Sequence, residues 1–89
     1  MEFNIAGFED KFRRIAKTLE LKEESGGAVV KYLFELNTKL NIPHRLTDIG
    51  VKSEHIETLA DLAFADFAHP NNPKPVTRED FKQLYLKAL

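Results

Sequence analysis

Hydrophobic side chains recur every three or four residues along four stretches of the chain, and this spacing predicts four α-helices. The first two stretches cover residues 7–19 and 27–40. The other two cover residues 54–67 and 78–88. The second contains β-branched residues but lacks the strict alternation of a half-buried strand. The pattern therefore predicts an all-α fold of about four helices, with residues 1–89 forming a single helical unit.

The same spacing predicts which side chains face the core. The four apolar stripes consist of Phe8, Phe12, Ile15, Ala16 and Leu19; Val29, Tyr32, Leu33, Leu36 and Leu40; Ile56, Leu59, Ala60, Ala63, Phe64 and Phe67; and Phe81, Leu84, Tyr85 and Ala88. Most of the nine aromatic residues fall on these stripes. Core packing therefore explains the aromatic residues better than base stacking does.

Capping and breaking residues mark the helix ends. Ser25, Ser53 and Thr77 are predicted N-caps, because a side-chain hydroxyl can accept a hydrogen bond from an unpaired backbone N–H. Asp80, three residues after Thr77, completes a capping box. Pro43 disfavours the helical conformation of the preceding residue and so ends the second helix.

Two connectors separate the predicted helices. Residues 42–51 are predicted to form an ordered connector with about one helical turn. Residues 68–76 contain three prolines and two asparagines, which exclude both helix and sheet. Asp66 stands near the C-terminal end of the third helix, where the dipole disfavours a negative charge. We expect this carboxylate to accept a hydrogen bond from a backbone N–H of the loop that follows.

Composition and charge exclude several classes of function. The 89 residues allow one domain at most, and the absence of cysteine excludes disulfides, zinc–thiolate sites and thiol catalysis. Thirteen basic residues are scattered among fourteen acidic ones, so no nucleic-acid partner is expected. No apolar run approaches the roughly 20 residues that cross a bilayer, and the N-terminus does not read as a signal peptide. These features predict a cytoplasmic protein without a membrane partner.

The titratable residues do not form a recognisable site. No two of His44, His55 and His69 are three or four residues apart, so no helical metal-binding pair is predicted. We expect His44 and His55 on the solvated surface, and we favour a surface position for His69 within its loop. There is no glycine-rich phosphate loop and no nucleophile elbow. The residues themselves therefore predict no catalytic, cofactor-binding or metal-binding side chain in this chain.

Two sequence elements resemble those of a known family. Residues 42–51 read Ile-Pro-x-x-Leu-x-Asp-x-Gly-Val, and residues 72–77 read Asn-Pro-x-Pro-Val-Thr. With the helical stripes around them, they make essentially the whole chain similar to the C-terminal segment of the iron-containing (group III) alcohol dehydrogenases. One position departs from the pattern, since the family often has Gly-Ile-Pro where this chain has Asn41-Ile42-Pro43.

The resemblance implies a much longer enzyme with two domains. An N-terminal α/β domain would bind NAD(P). A C-terminal helical domain of the dehydroquinate-synthase-like type would hold Fe(II), or sometimes zinc, through one Asp and three His. Those ligands precede residue 1, so no metal role passes to the three histidines. The family's loop between its last two long helices borders the substrate cleft, which implies that Phe67, Ala68 and His69 line the substrate pocket. A core position closing the third helix is the alternative for Phe67.

The resemblance also implies what the chain does and what it contacts. We expect a C-terminal fragment of an NAD(P)-dependent alcohol dehydrogenase, inactive alone, whose partner is the remainder of the dehydrogenase chain. Self-association through exposed apolar surface is expected of such a fragment. The alternative is a free-standing helical module that binds a protein partner through an apolar groove.

Overall fold

The computed structural model describes residues 1–89, and its regular structure is entirely helical. The four α-helices are α1 (Glu9–Thr18), α2 (Gly26–Lys39), α3 (Ile56–Ala65) and α4 (Arg78–Ala88). Short 3-10 turns occur at Glu2–Asn4, Leu46–Ile49, Ser53–His55 and His69–Asn71. The prediction of an all-α fold with four helices is confirmed. None of these helices combines the length and hydrophobicity that a membrane-spanning segment requires.

The chain divides into two compact units, residues 1–42 and residues 43–89. The N-terminal unit contains α1 and α2, and the C-terminal unit contains α3 and α4. The assignment of all 89 residues to a single helical unit stays a prediction.

The core of the N-terminal unit lies between α1 and α2. Phe12, Ala16 and Val29 are buried there, and the partly buried side chains of Ile5, Phe8, Leu21 and Leu33 pack around them. Gly26 begins α2 directly against Ile5. A Cβ atom at Gly26 would lie 2.8 Å from the Ile5 Cγ2 atom, closer than real Cβ contacts come. Glycine at position 26 therefore allows the start of α2 to approach the Ile5 side chain.

A left-handed residue ends α1. Glu20 has φ 56°, which is unusual for a residue with a side chain. The N–H of Leu21 donates to the carbonyl of Ala16 (3.0 Å), and the N–H of Glu20 donates to that of Lys17 (3.0 Å). These two bonds form a Schellman motif, which satisfies carbonyls that the helix itself leaves unpaired.

The same motif ends α2, with Asn41 in the left-handed conformation at φ 57°. The N–H of Ile42 donates to the carbonyl of Asn37 (2.9 Å), and the N–H of Asn41 donates to that of Thr38 (3.1 Å). Asparagine tolerates this backbone conformation better than most residues do. The departure from Gly-Ile-Pro thus leaves the helix end intact, with Pro43 just beyond it.

The C-terminal unit is built on the packing of α3 against α4. Ile56 and Ala60 are buried on α3. The half-buried residues around them are Leu59, Ala63, Phe81 and Tyr85. The predicted stripes of α3 and α4 therefore identify the inner faces correctly at these positions, while Phe64 and Leu84 remain partly exposed.

The connector before α3 contains the helical turn that the sequence predicts. The 3-10 turn Leu46–Ile49 ends at Gly50, whose φ of 88° suits glycine. Thr47 joins this turn to the end of the chain, because its hydroxyl donates to the Leu89 carbonyl (2.8 Å). The same carbonyl accepts the Thr47 N–H at 3.4 Å.

Two of the three predicted N-caps are confirmed. The Ser25 hydroxyl accepts from the Ala28 N–H (3.1 Å) at the start of α2. At the start of α4, the Thr77 hydroxyl accepts from the Asp80 N–H (3.1 Å). The Asp80 carboxylate in turn accepts from the Thr77 N–H (2.8 Å), so the predicted capping box is also confirmed.

The prediction that Ser53 caps α3 is wrong. Ser53 lies inside the 3-10 turn Ser53–His55, and α3 begins only at Ile56. The Lys52 N–H donates to the Nδ1 atom of His55 (3.1 Å). A side chain three residues further on thus satisfies the backbone donor at the start of this turn.

Candidate functional site

The candidate site is the loop of residues 66–77 that connects α3 with α4. The predicted third helix continues to residue 67, but α3 ends at Ala65 because Asp66 adopts an extended conformation with ψ 134°. The Asp66 carboxylate accepts the N–H of Ala68 at 2.7 Å. The hydrogen bond expected between Asp66 and the loop backbone is therefore confirmed, and it turns the chain away from the helix axis.

Phe67 and Ala68 form the exposed tip of this loop. The Phe67 side chain is 89% exposed, and Ala68 is exposed beside it. The alternative assignment of Phe67 to the core at the end of α3 is wrong, since the helix stops before it and the Asp66 turn directs the chain outward. The predicted role of Phe67 and Ala68 in lining a substrate pocket stays a prediction.

His69 points back from the loop toward α3 and α4 and is half-buried there. Its Nε2 atom lies 2.8 Å from the carbonyl oxygen of Phe64. Because a carbonyl can only accept, Nε2 carries the hydrogen. The imidazole stacks on the Phe64 ring, with centroids 5.1 Å apart and planes inclined by 22°. It also meets Phe81 edge-on at 5.5 Å. His69 is thus a packed residue rather than a solvated one.

The rest of the loop is stiffened by proline and by hydrogen bonds. The 3-10 turn His69–Asn71 is closed by the Asn72 N–H, which donates to the His69 carbonyl (3.0 Å). The Asn72 side-chain amide donates to the Lys74 carbonyl (2.8 Å). A surface pocket of about 460 Å³ lies along this segment and is lined by His69, Pro70, Asn72, Pro73, Pro75 and Val76.

A cluster of four charged residues joins the helices on either side of the loop. Arg78 binds Glu57 at 2.8 Å and also binds Asp61. The Lys82 ammonium lies 2.5 Å from the other Glu57 oxygen. The hydrogen bonds from Lys82 and Arg78 hold the pKa of Glu57 below its ordinary value.

Sequence reasoning missed this charged cluster, although the signal was present. Glu57 and Asp61 are four residues apart on α3, and Arg78 and Lys82 are four residues apart on α4. Residues four apart share one face of a helix, so two helices that pack side by side can align an acidic pair with a basic pair.

The titratable residues of this chain do not fit a metal site. No group of three or more His, Cys, Asp or Glu residues could hold a metal ion. The Nδ1 atom of His55 accepts the Lys52 N–H, and the Nε2 atom of His69 faces the Phe64 carbonyl. These residues therefore support no chemical step that passes through a bound metal.

Comparison with known proteins gives the family. The model for the Fe-containing alcohol dehydrogenase family, C-terminal, matches residues 1–89. The chain belongs to this family, and its four helices correspond to part of the family's helical C-terminal domain. The resemblance found in the sequence is confirmed.

Several curated relatives share this segment. The chain is 36% identical over 94 residues to the lactaldehyde reductase of Escherichia coli, covering 99% of the chain and 25% of that protein. It is 36% identical over 74 residues to alcohol dehydrogenase 4 of Saccharomyces cerevisiae, covering 83% of the chain and 19% of that protein. It is 31% identical over 97 residues to the NAD-dependent methanol dehydrogenase of Bacillus methanolicus, covering 98% of the chain and 24% of that protein. The chain therefore spans about a quarter of the length of these relatives.

Proposed function

We propose that this chain forms the C-terminal part of the helical domain of an intact NAD(P)-dependent, iron-containing alcohol dehydrogenase. The observation that carries the proposal is the match of the family model to all 89 residues. In the intact enzyme, the reaction is hydride transfer between an alcohol carbon and a nicotinamide cofactor. The metal and the cofactor are held by residues outside this chain.

The remainder of the dehydrogenase chain is the proposed partner of these helices. The relatives supply roughly three quarters of their length from segments that this chain does not match. An assembly of that kind also explains why large apolar residues such as Leu40, Ile49 and Leu62 are exposed here. We further propose that residues 1–89 alone have no dehydrogenase activity. Turnover of an alcohol by the purified chain with NAD(P) and added iron would contradict this.

Within the intact enzyme, Phe67, Ala68 and His69 are proposed to border the substrate pocket. The exposed, apolar tip formed by Phe67 and Ala68 supports this role, because it presents hydrophobic surface on a fixed loop. The methyl group of Ala68 leaves space for a substrate chain. Ala68→Leu in the intact enzyme is therefore expected to lower activity on long-chain relative to short-chain alcohols, and an unchanged ratio would oppose the assignment.

The first experiment measures the mass of the native protein in its source cells by immunoblot, with an antibody raised against residues 1–89. A band at about four times the mass of this chain, as its relatives have, supports the proposal. A single band at 10.2 kDa contradicts it and favours the free-standing interaction module instead.

A second experiment tests the enzyme directly. Residues 1–89 replace the segment of the E. coli lactaldehyde reductase that aligns with them, and the chimera is assayed for NAD(P)-dependent reduction of lactaldehyde. Recovery of activity supports the proposed role. A matched chimera in which Ile56→Asp disrupts the buried core of the C-terminal unit serves as the inactive control.

A further inference from the structure

We propose that the outer groove of α1 is the docking site for another helix of the same polypeptide, one that carries a carboxylate beside an apolar ridge. The groove has a volume of about 410 Å³ and is lined by Lys11, Arg14, Ile15, Thr18 and Leu19. This inference rests on the proposed function, because it takes the occupant from the part of the dehydrogenase that lies outside residues 1–89.

The lining residues form two rows along the helix. Lys11, Ile15 and Leu19 are spaced four residues apart, and Arg14 and Thr18 form the neighbouring row. The space between two such rows is the groove into which a ridge of side chains from a second helix packs. The shape of the groove therefore favours a helical occupant.

The C-terminal half of the groove is apolar and uncovered. Ile15 is 41% exposed and Leu19 is 37% exposed. The Thr18 hydroxyl donates to the Arg14 carbonyl (2.9 Å), so its hydrogen is already used within the helix. No other part of the N-terminal unit lines the groove. Apolar side chains of an occupant would therefore gain free energy by covering this end.

The N-terminal half of the groove carries two cations. Neither Lys11 nor Arg14 forms an ion pair within residues 1–89. Arg13, on the opposite side of α1, binds Asp10 at 2.8 Å. A purely apolar occupant would take the two cations out of water without compensation, so a carboxylate is required at this end. The cationic and apolar ends are about 7 Å apart along the helix axis. The carboxylate should therefore lie one to two turns from the apolar ridge of the occupant.

The size and charge of the groove favour an occupant from the same polypeptide. A stable interface between separate chains buries about 800 Å² on each partner, and a groove of five residues provides only part of such an area. A tethered segment needs less contact, because its effective concentration is high. A second copy packed groove to groove would bring the same two cations together. The relatives contain about three quarters of their length outside the matched segment, which can supply the helix.

The first test measures whether the groove is covered in the full-length dehydrogenase that carries residues 1–89. Thr18→Cys places a thiol in the groove, and peptide mass spectrometry follows its reaction with iodoacetamide. The folded protein should react at least about tenfold more slowly than the protein unfolded in urea. In this background, Arg14→Glu should raise the rate in the folded protein, because it repels the carboxylate of the occupant. Arg13→Glu is the matched control and should leave the rate unchanged.

Two results of the labelling experiment would overturn the docking site. One is an equal rate in the folded and unfolded protein, which would show an open groove. The other is an equal effect of the two charge reversals, which would show that the cations of the groove have no special role. If Arg14→Glu does not fold, Arg14→Gln replaces it and should raise the rate to a smaller extent.

A second test identifies the occupant. Leu19 is replaced by the photo-reactive amino acid p-benzoylphenylalanine in the full-length protein, and the cross-linked peptides are sequenced. We expect a link within one chain to a helix outside residues 1–89 that has Asp or Glu one to two turns from the linked residue. A product with the mass of two chains, a link to another protein or the absence of a link would overturn the inference. The proposed function survives each of these results if the protein oxidises an alcohol, and fails if it oxidises none.

Discussion

The guanidinium of Arg78, the first residue of α4, lies 2.8 Å from the carboxylate of Glu57, the second residue of α3. This ion pair brings the start of one helix beside the start of the other. The same guanidinium binds Asp61 one turn further along α3. The contacts therefore fix how α3 and α4 lie against each other, and with them the two ends of the candidate loop.

Removal of the Arg78 guanidinium, which both carboxylates share, is expected to destabilise the C-terminal unit. Arg78→Ala leaves Asp61 without its partner and Glu57 with Lys82 alone, so the melting temperature should fall. The fall should be smaller in 1 M NaCl, because salt screens exposed charges. Arg13→Ala is the control, since Arg13 forms only an exposed pair with Asp10 on α1. An equal effect of the two variants in thermal unfolding would contradict a cooperative cluster.

Acid should weaken the same cluster through Glu57. The hydrogen bonds from Lys82 and Arg78 lower its pKa in the folded protein below the ordinary value of 4.5. A carboxyl group of this kind contributes its stability fully above the unfolded pKa and loses it as the pH falls through the folded pKa. The difference in melting temperature between the wild type and Glu57→Gln should therefore be constant above about pH 5.5. It should shrink as the pH falls below 4.5, whereas a difference independent of pH would refute this account.

The two adjacent glycines of α2 should respond oppositely to alanine. At Gly26, a Cβ atom would lie 2.8 Å from the Ile5 side chain, and the overpacking should cost about 1–3 kcal/mol. At Gly27, nothing lies closer than 3.9 Å, and alanine should add about 0.5–1 kcal/mol through its better helix propensity. Urea denaturation measures the change in the free energy of unfolding for each variant. Destabilisation by both would show that helix initiation, and not the contact with Ile5, determines the sign of the effect.

The left-handed residues that end α1 and α2 offer a graded test. Glu20→Gly should raise the free energy of unfolding by about 1 kcal/mol, because glycine adopts positive φ without the cost that a Cβ imposes. Asn41→Gly should gain less, about 0.5 kcal/mol at most, because asparagine already tolerates this conformation. Glu20→Ala isolates the cause, since alanine retains the Cβ. A gain from this alanine variant equal to that from glycine would rule out the backbone explanation.

Much of the fold follows from the sequence because the apolar stripes have a helical period. Phe12 and Ala16 on α1, Val29 on α2 and Ile56 and Ala60 on α3 were placed on inner faces, and all five are buried. Hydroxyl residues before a stripe also locate helix starts where no competing acceptor is near. Their failure at Ser53 has a local cause. The N–H groups of His55 and Ile56, which a Ser53 cap would accept, donate instead to the carbonyls of Lys52 and Ser53 in the 3-10 turn.

The candidate site was harder to predict than the core. Periodicity extended α3 to Phe67, because the side-chain spacing continues although the backbone turns at Asp66. The packing of His69 depends on Phe64 and Phe81, which lie in different helices, and no local pattern encodes that meeting. The charged residues between α3 and α4 were overlooked for the same reason. Their spacing is informative only once the two helices are known to be neighbours.

The left-handed residue at position 41 determines how the chain leaves α2. Asn41 has φ 57°, and both carbonyl contacts of the helix end are made. Because glycine adopts the same conformation without strain, glycine at this position should leave the path of the chain into Pro43 unchanged. Exchange between asparagine and glycine at position 41 should therefore be structurally silent.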